Sequence, residues 1–87
     1  MIQVGDEVYC MIMPYWGDLP VKVQKIEESE TEVYVGCMHP VNGKCCFWAR
    51  HVEPRSEKRD EEMKVFRVLS RLGIDQMELR EKFFRKV

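Results

Sequence analysis

The sequence predicts a single α+β domain over residues 1–87, made of a small five-stranded antiparallel β-barrel followed by a C-terminal two-helix hairpin. The first observation behind this prediction is that residues 4–53 alternate with a period of two and are interrupted by proline and glycine. The second is that residues 56–87 contain no proline and one glycine, and repeat their apolar residues with a helical period. A chain of 87 residues has room for one domain with a small core.

The alternating half of the chain divides into strands at its turn residues. The strands are expected at residues 7–13, 21–28, 32–38, 45–50 and 51–53. Pro14 ends the first strand because proline has no N–H to donate to a ladder. Asn42-Gly43 is a strong signal for a hairpin turn. The apolar phase shifts within the second strand, which predicts a β-bulge near Gln24-Lys25 that bends it, as a closed barrel requires.

The remaining residues carry start and stop signals for two helices, expected at residues 56–72 and 75–86. Ser56 can cap the first helix, and Gly73 suits the left-handed conformation that ends it. Asp75, with Glu78 three residues later, forms a capping box for the second helix. The short link between the two helices predicts an αα-hairpin.

Charge is unevenly distributed along the chain, although the formal net charge is only −1. Residues 1–52 contain four basic and seven acidic side chains, whereas residues 53–87 contain ten basic and eight acidic ones. The first half therefore favours a basic partner and the second an acidic or phosphate-bearing one. No apolar run approaches the roughly 20 residues that span a bilayer, and no signal peptide is visible. A cytoplasmic location with reduced cysteines is expected.

Four segments give residues 4–54 a resemblance to a known group of small barrels. They are Val4-Gly5-Asp6-Glu7-Val8-Tyr9, Tyr15-Trp16-Gly17-Asp18, Val21–Glu27 and His51-Val52-Glu53-Pro54. Together they resemble the Tudor-like and Src-homology-3-like β-barrels, and the first segment is similar to the Gly-Asp-x-Val step that opens such barrels. The resemblance implies an aromatic cage that binds methylated or basic peptides by cation–π attraction. It would place Tyr15, Trp16, Tyr34 and Trp48 as the rings of the cage and Asp18 as its anion.

No combination of side chains in the sequence demands catalysis or a cofactor, and a non-enzymatic protein is predicted. The densest group of metal-binding residue types is Cys37, His39, Cys45 and Cys46. Structural zinc needs four tetrahedral ligands, but adjacent cysteines on a strand point to opposite faces. A cysteine–histidine pair for nucleophilic catalysis would lack a third, orienting group. Neither a metal site nor a catalytic site is therefore predicted.

Protein–protein binding is the favoured function. The two predicted helices carry more apolar positions than one barrel face needs, and the surplus suits a partner surface or a homo-oligomer seam. The residues expected to contact the partner are Tyr15, Trp16, Asp18, Tyr34, Trp48, Phe66, Leu69, Phe83 and Phe84. We expect an adaptor or inhibitor that occludes a protein partner, a role common among small phage-encoded proteins of this composition.

A nucleic-acid-associated module is the alternative function. Its basic helical face would consist of Arg67, Arg71, Arg80, Arg85 and Lys86. Acidic residues interleave with these side chains, which weakens the affinity for phosphate. Salt separates the two functions, because phosphate binding weakens steeply as salt rises, whereas binding through apolar contacts tolerates salt.

Overall fold

The computed structural model describes residues 1–13, 15–75, 78 and 81. Its elements in chain order are β1 (Glu7–Cys10), β2 (Val21–Glu28), β3 (Val33–His39), β4 (Gly43–Trp48), a 3₁₀ turn (Ala49–His51), β5 (Val52–Pro54) and α1 (Glu57–Arg71). The strands form one antiparallel sheet in the order β4-β3-β2-β1-β5. Such a sheet is compatible with a small barrel-like fold.

Two parts of the predicted fold class are wrong. The sheet is not closed into a barrel: β4 and β5 lie at its two edges, and no ladder joins them among the described residues. β5 is only three residues long, and all three pair with β1. The helical part is not a two-helix hairpin, because α1 is the one helix in the part of the chain that the structure describes. Most of the predicted second helix, residues 76–77, 79–80 and 82–86, lies outside the described residues.

β2 confirms the prediction drawn from its irregular apolar phase. It spans Val21–Glu28 as expected, and its pairing with β3 shifts between Val23 and Lys25. The extra residue in the bulge is Gln24, and such bulges bend the strand that carries them. β1 is shorter than predicted and ends at Cys10, after which a Tyr15 N–H to Ile12 carbonyl hydrogen bond of 2.8 Å closes a turn.

β1 lies between two hydrophobic clusters. The sheet cluster, within the curved sheet, has Val8, Val21, Val23, Val35 and Cys37 as its buried residues. The helix cluster, between the sheet and α1, has Tyr9, Trp16, Met63 and Phe66 as its buried residues. Successive side chains of a strand point to opposite faces, so neighbouring residues of β1 belong to different clusters. Both sides of this short strand are therefore covered.

α1 begins and ends close to the predicted residues. The Ser56 hydroxyl accepts a hydrogen bond from the Arg59 N–H at 3.2 Å, which caps the helix. Gly73 follows the last turn with a φ of 83°, a conformation that few other residues adopt easily. Met63 and Phe66, one turn apart, are completely buried against the sheet. Each such side chain contributes roughly 1.5–3 kcal/mol on burial, so these two residues hold α1 in place. Among the described residues there is no helix long and apolar enough to cross a membrane.

A polar network fixes the start of α1 against β1. The Arg55 guanidinium donates to Asp60 at 3.0 Å and to Glu7 at 3.1 Å. The Tyr9 hydroxyl donates to the same Asp60 carboxylate at 2.5 Å. Arg55 is exposed, and exposed ion pairs contribute little individually. Tyr9 is only 4% exposed, so its hydrogen bond is the most sheltered member of the network.

The Tyr9 hydroxyl should make stability depend on pH in the alkaline range. Burial, aided by the hydrogen bond to Asp60 and its charge, raises the pKa of Tyr9 from 10.0 to about 12. The unfolded chain loses this proton first as pH rises past 10, so the stabilisation is full below pH 10 and is lost as pH rises through 12. Between these values the wild type should lose about 3 kcal/mol relative to Tyr9→Phe, since each pKa unit corresponds to about 1.4 kcal/mol. Urea unfolding of both proteins at several pH values measures this difference, and a pH-independent difference would contradict the assignment.

Candidate functional site

Three of the residues expected at a partner surface lie in the helix cluster instead. Trp16 is 4% exposed and Phe66 is completely buried, with their ring centroids 5.9 Å apart. The Trp16 indole N–H donates to the Met11 carbonyl at 3.2 Å. Leu69 is partly buried against the same cluster. These side chains attach α1 to the sheet and do not offer a surface to a partner.

Tyr15 and Asp18 occupy the loop between β1 and β2, where each contacts a residue outside the predicted cage. The Tyr15 ring packs edge-on against Phe47 at 5.2 Å, and Phe47 belongs to the rim of the sheet cluster. Asp18 accepts a hydrogen bond from the His39 ring at 2.8 Å. Tyr15, Trp16, Tyr34 and Trp48 therefore do not converge on one cage.

Arg67 holds the same loop against α1. Its guanidinium donates to the Gly17 carbonyl at 3.1 Å and to the Asp18 carbonyl at 3.3 Å. The Gly17 N–H in turn donates to the Met63 sulfur at 3.0 Å. Arg67 is thus engaged within the fold, which weakens its assignment to a phosphate-binding face. Arg71 is exposed near the end of α1.

Five further residues from the sequence analysis have no described position. Phe83 and Phe84 of the expected partner surface, and Arg80, Arg85 and Lys86 of the alternative basic face, lie outside the described residues.

Tyr34 and Trp48 form the aromatic pair that the structure does bring together. They are directly paired across β3 and β4, and their rings meet at 6.5 Å in an edge-to-face arrangement. The neighbouring positions Val35 and Phe47 point to the sheet cluster, so the Tyr34–Trp48 pair lies on the opposite, outer face. Trp48 remains 38% exposed. An exposed indole on a sheet face is suited to contact with a partner.

Trp48 already carries a cation on its ring. The Arg50 guanidinium carbon lies 4.0 Å from the ring centroid, and its Nη1 atom is 2.9 Å from the Glu32 carboxylate. At an exposed site a cation–π contact contributes roughly 0.5–1 kcal/mol, and a surface ion pair roughly 0.2–1 kcal/mol. We call Glu32, Trp48 and Tyr34 the guanidinium site: the first two contact this group, and Tyr34 packs against the Trp48 ring.

A depression of about 390 Å³ continues from the guanidinium site along the outer face of the sheet. Its floor is Gly36, which pairs with Lys25 on one side and Cys46 on the other. A side chain at position 36 would meet the Lys25 stem, since an added Cβ would lie 2.9 Å from its Cγ atom. The absence of a side chain at Gly36 therefore leaves the depression open and gives the Lys25 side chain room to pack against the Gly36 backbone. The Lys25 ammonium pairs with the Glu27 carboxylate at 2.7 Å.

The hairpin between β2 and β3 places several carboxylates at one end of this face. Glu27, Glu28 and Glu30 are exposed, and Glu32 is half-buried beside Arg50. A second depression of about 430 Å³ runs along the hairpin and ends at Arg50. Closely spaced carboxylates raise the local concentration of cationic groups, so this end of the sheet favours a basic partner.

Three of the four cysteines, Cys10, Cys37 and Cys45, are buried or partly buried, and Cys46 is exposed. Burial raises the pKa of the Cys37 thiol to about 12, and it also raises the pKa of Cys10 and of Cys45. A raised pKa keeps a thiol protonated and poorly nucleophilic at neutral pH. Within residues 1–13 and 15–75 no three His, Cys, Asp or Glu side chains are grouped so as to hold a metal ion.

Sequence reasoning missed two residues of this surface, Glu32 and Arg50. Glu32 directly precedes β3, and Arg50 lies in the 3₁₀ turn that follows β4. Each is two positions from one of the rings that the pairing of β3 with β4 brings together. The register between β3 and β4, which the sequence alone does not give, is what identifies these residues as neighbours of the ring pair.

Comparison with known proteins yields no match: no family model, no curated protein and no solved structure fits the chain.

Proposed function

We propose that this protein is a non-enzymatic binding module that holds a basic segment of a protein partner on the outer face of β3 and β4. The proposal rests on one observation: the surface already holds a guanidinium, with Arg50 over the Trp48 ring and paired to Glu32. An aromatic face together with a carboxylate is the chemistry that recognises arginine.

Three further features support a basic partner. The β2–β3 hairpin is acidic, with Glu27, Glu28 and Glu30 exposed beside the guanidinium site. The adjoining depression over Gly36 has a volume of about 390 Å³, which gives room for residues next to the bound arginine. The resemblance to Tudor-like barrels implies the same ligand class, methylated or basic peptides, although the rings involved here are Tyr34 and Trp48 alone. By occupying this surface the module would act as an adaptor or an occluding inhibitor, without turnover.

The test compares two exposed aromatic residues with a defined probe. The probe is a blocked pentapeptide of alternating glycine and arginine, titrated into ¹⁵N-labelled protein and followed by nuclear magnetic resonance. Trp48→Ala should weaken binding roughly two- to fivefold, because it removes the ring beneath the cation and with it a contact of about 0.5–1 kcal/mol. Tyr15→Ala is the matched control, since Tyr15 is 37% exposed and Trp48 38%. It should bind as the wild type does.

Two other outcomes would overturn the proposal. Binding that depends on Tyr15 and not on Trp48 would move the site to the loop between β1 and β2. A protein that ignores the arginine peptide but binds a single-stranded oligonucleotide, with affinity falling steeply as salt rises, would favour the nucleic-acid alternative.

A further inference from the structure

Arg50 reaches the guanidinium site from within the same chain, over a very short path. It sits in the middle of the 3₁₀ turn Ala49–His51, which directly follows β4. The turn carries the side chain back over Trp48, two residues earlier. Because the tether is so short, the guanidinium is present at high effective concentration, and any external cation must compete with it.

The contacts of Arg50 would allow another guanidinium to take its place in the guanidinium site. Its side chain is 54% exposed, whereas Glu32 beneath it is only 21% exposed. The Arg50 Nε atom also donates to the His51 Nε2 atom, but at 3.5 Å this hydrogen bond is long. Trp48 also packs against Tyr34 and against the His51 ring, whose centroid lies 5.5 Å from its own. The site would therefore keep its shape if the guanidinium swung into solvent.

We infer that Arg50 is a built-in competitor that closes the guanidinium site, and that an arginine of the partner binds by replacing it. The inference rests on the proposed function. An exchange of one guanidinium for another keeps the cation–π contact and the ion pair with Glu32, so the site selects partners able to match both. If Arg50 occupies the site nine-tenths of the time, the apparent affinity for a partner is reduced about tenfold.

The experiment removes the competitor and measures the affinity for the same arginine pentapeptide. Arg50→Gln keeps a long polar side chain without the cation. The control is Lys58→Gln, which makes the same change in net charge on the exposed first turn of α1. Arg50→Gln should bind the peptide about tenfold more tightly than the wild type, and Lys58→Gln should differ from the wild type less than twofold. Adding Trp48→Ala to Arg50→Gln should abolish the gain.

The remaining outcomes separate the failure of this inference from that of the proposed function. If the wild type binds the peptide and Arg50→Gln binds equally or more weakly, Arg50 is not a competitor, and the proposed function stands. If Arg50→Gln and Lys58→Gln gain affinity to the same extent, the effect is one of net charge and the inference fails. If neither the wild type nor Arg50→Gln binds, both proposals fail together.

Discussion

Phe66→Ala is expected to lower the free energy of unfolding by about 4 kcal/mol, the usual range for a phenylalanine removed from a packed core. Phe66 is completely buried, and its ring lies 5.9 Å from the ring of Trp16. It also packs closely on the loop between β1 and β2, where a Cβ built on Gly17 would lie 3.2 Å from the Phe66 ring. The cavity left by alanine would loosen both α1 and this loop. Urea unfolding followed by circular dichroism measures the change.

The matched control is Val68→Ala, two residues further along α1. Val68 is 48% exposed, so shortening it should change the stability by less than about 0.5 kcal/mol. Equal stability of the two variants would mean that Phe66 is not part of the core. Phe66 would then be available for the contact with a partner that the sequence predicts.

His39→Phe is expected to cost about 3 kcal/mol, since three hydrogen bonds are lost at roughly 1 kcal/mol each. The Nδ1 atom of His39 accepts from the N–H groups of Val41 and Asn42 at 3.1 and 3.0 Å. Nδ1 is therefore unprotonated, and Nε2 carries the hydrogen that it donates to Asp18 at 2.8 Å. Phenylalanine keeps the ring in a position that is only 7% exposed, but it can neither accept nor donate.

Asp18→Asn provides the comparison for this variant. The amide oxygen still accepts from the His39 ring and from the Leu19 N–H, which now donates to Asp18 at 2.8 Å. A stability close to that of the wild type is expected for Asp18→Asn, measured by the same urea titration. If Asp18→Asn lost as much as His39→Phe, the charge of Asp18 would be the stabilising factor rather than the hydrogen bonds.

Local signals along the chain were sufficient for much of the secondary structure. The bulge in β2 followed from an apolar phase that cannot be kept by a regular strand. The limits of α1 followed from Ser56, whose hydroxyl caps the helix, and from Gly73, whose positive φ ends it. Each of these features depends on residues within a few positions of one another.

The errors came from contacts between distant parts of the chain. Helical periodicity identified the apolar face of α1 but not what covers it, so Phe66 was assigned to a partner although the sheet buries it. The predicted closed barrel required a ladder between the edge strands β4 and β5. β5 pairs with β1 along one edge, and no ladder joins its other edge to β4 among the described residues. Alternation within single strands does not reveal which strand edges will meet.

The guanidinium site depended on a register that the turn sequence does not reveal. A two-residue turn at Asn42-Gly43 would pair residue 41 with residue 44, and Trp48 would then lie opposite Cys37. In the structure His39 pairs with Gly43 across a longer loop, and Gly43 has a φ of 83°. This register is what places Tyr34 opposite Trp48.

β1 contributes residues to both hydrophobic clusters, and this determines how the protein should unfold. This strand has four residues, yet Val8 belongs to the sheet cluster and Tyr9 to the helix cluster. Detachment of α1 would remove the side chains that pack against Tyr9. Because Tyr9 and Val8 are adjacent, movement of Tyr9 would also displace Val8 from the sheet cluster. The two clusters should therefore melt in one cooperative transition, with the amide protons of β1 among the last to exchange with solvent.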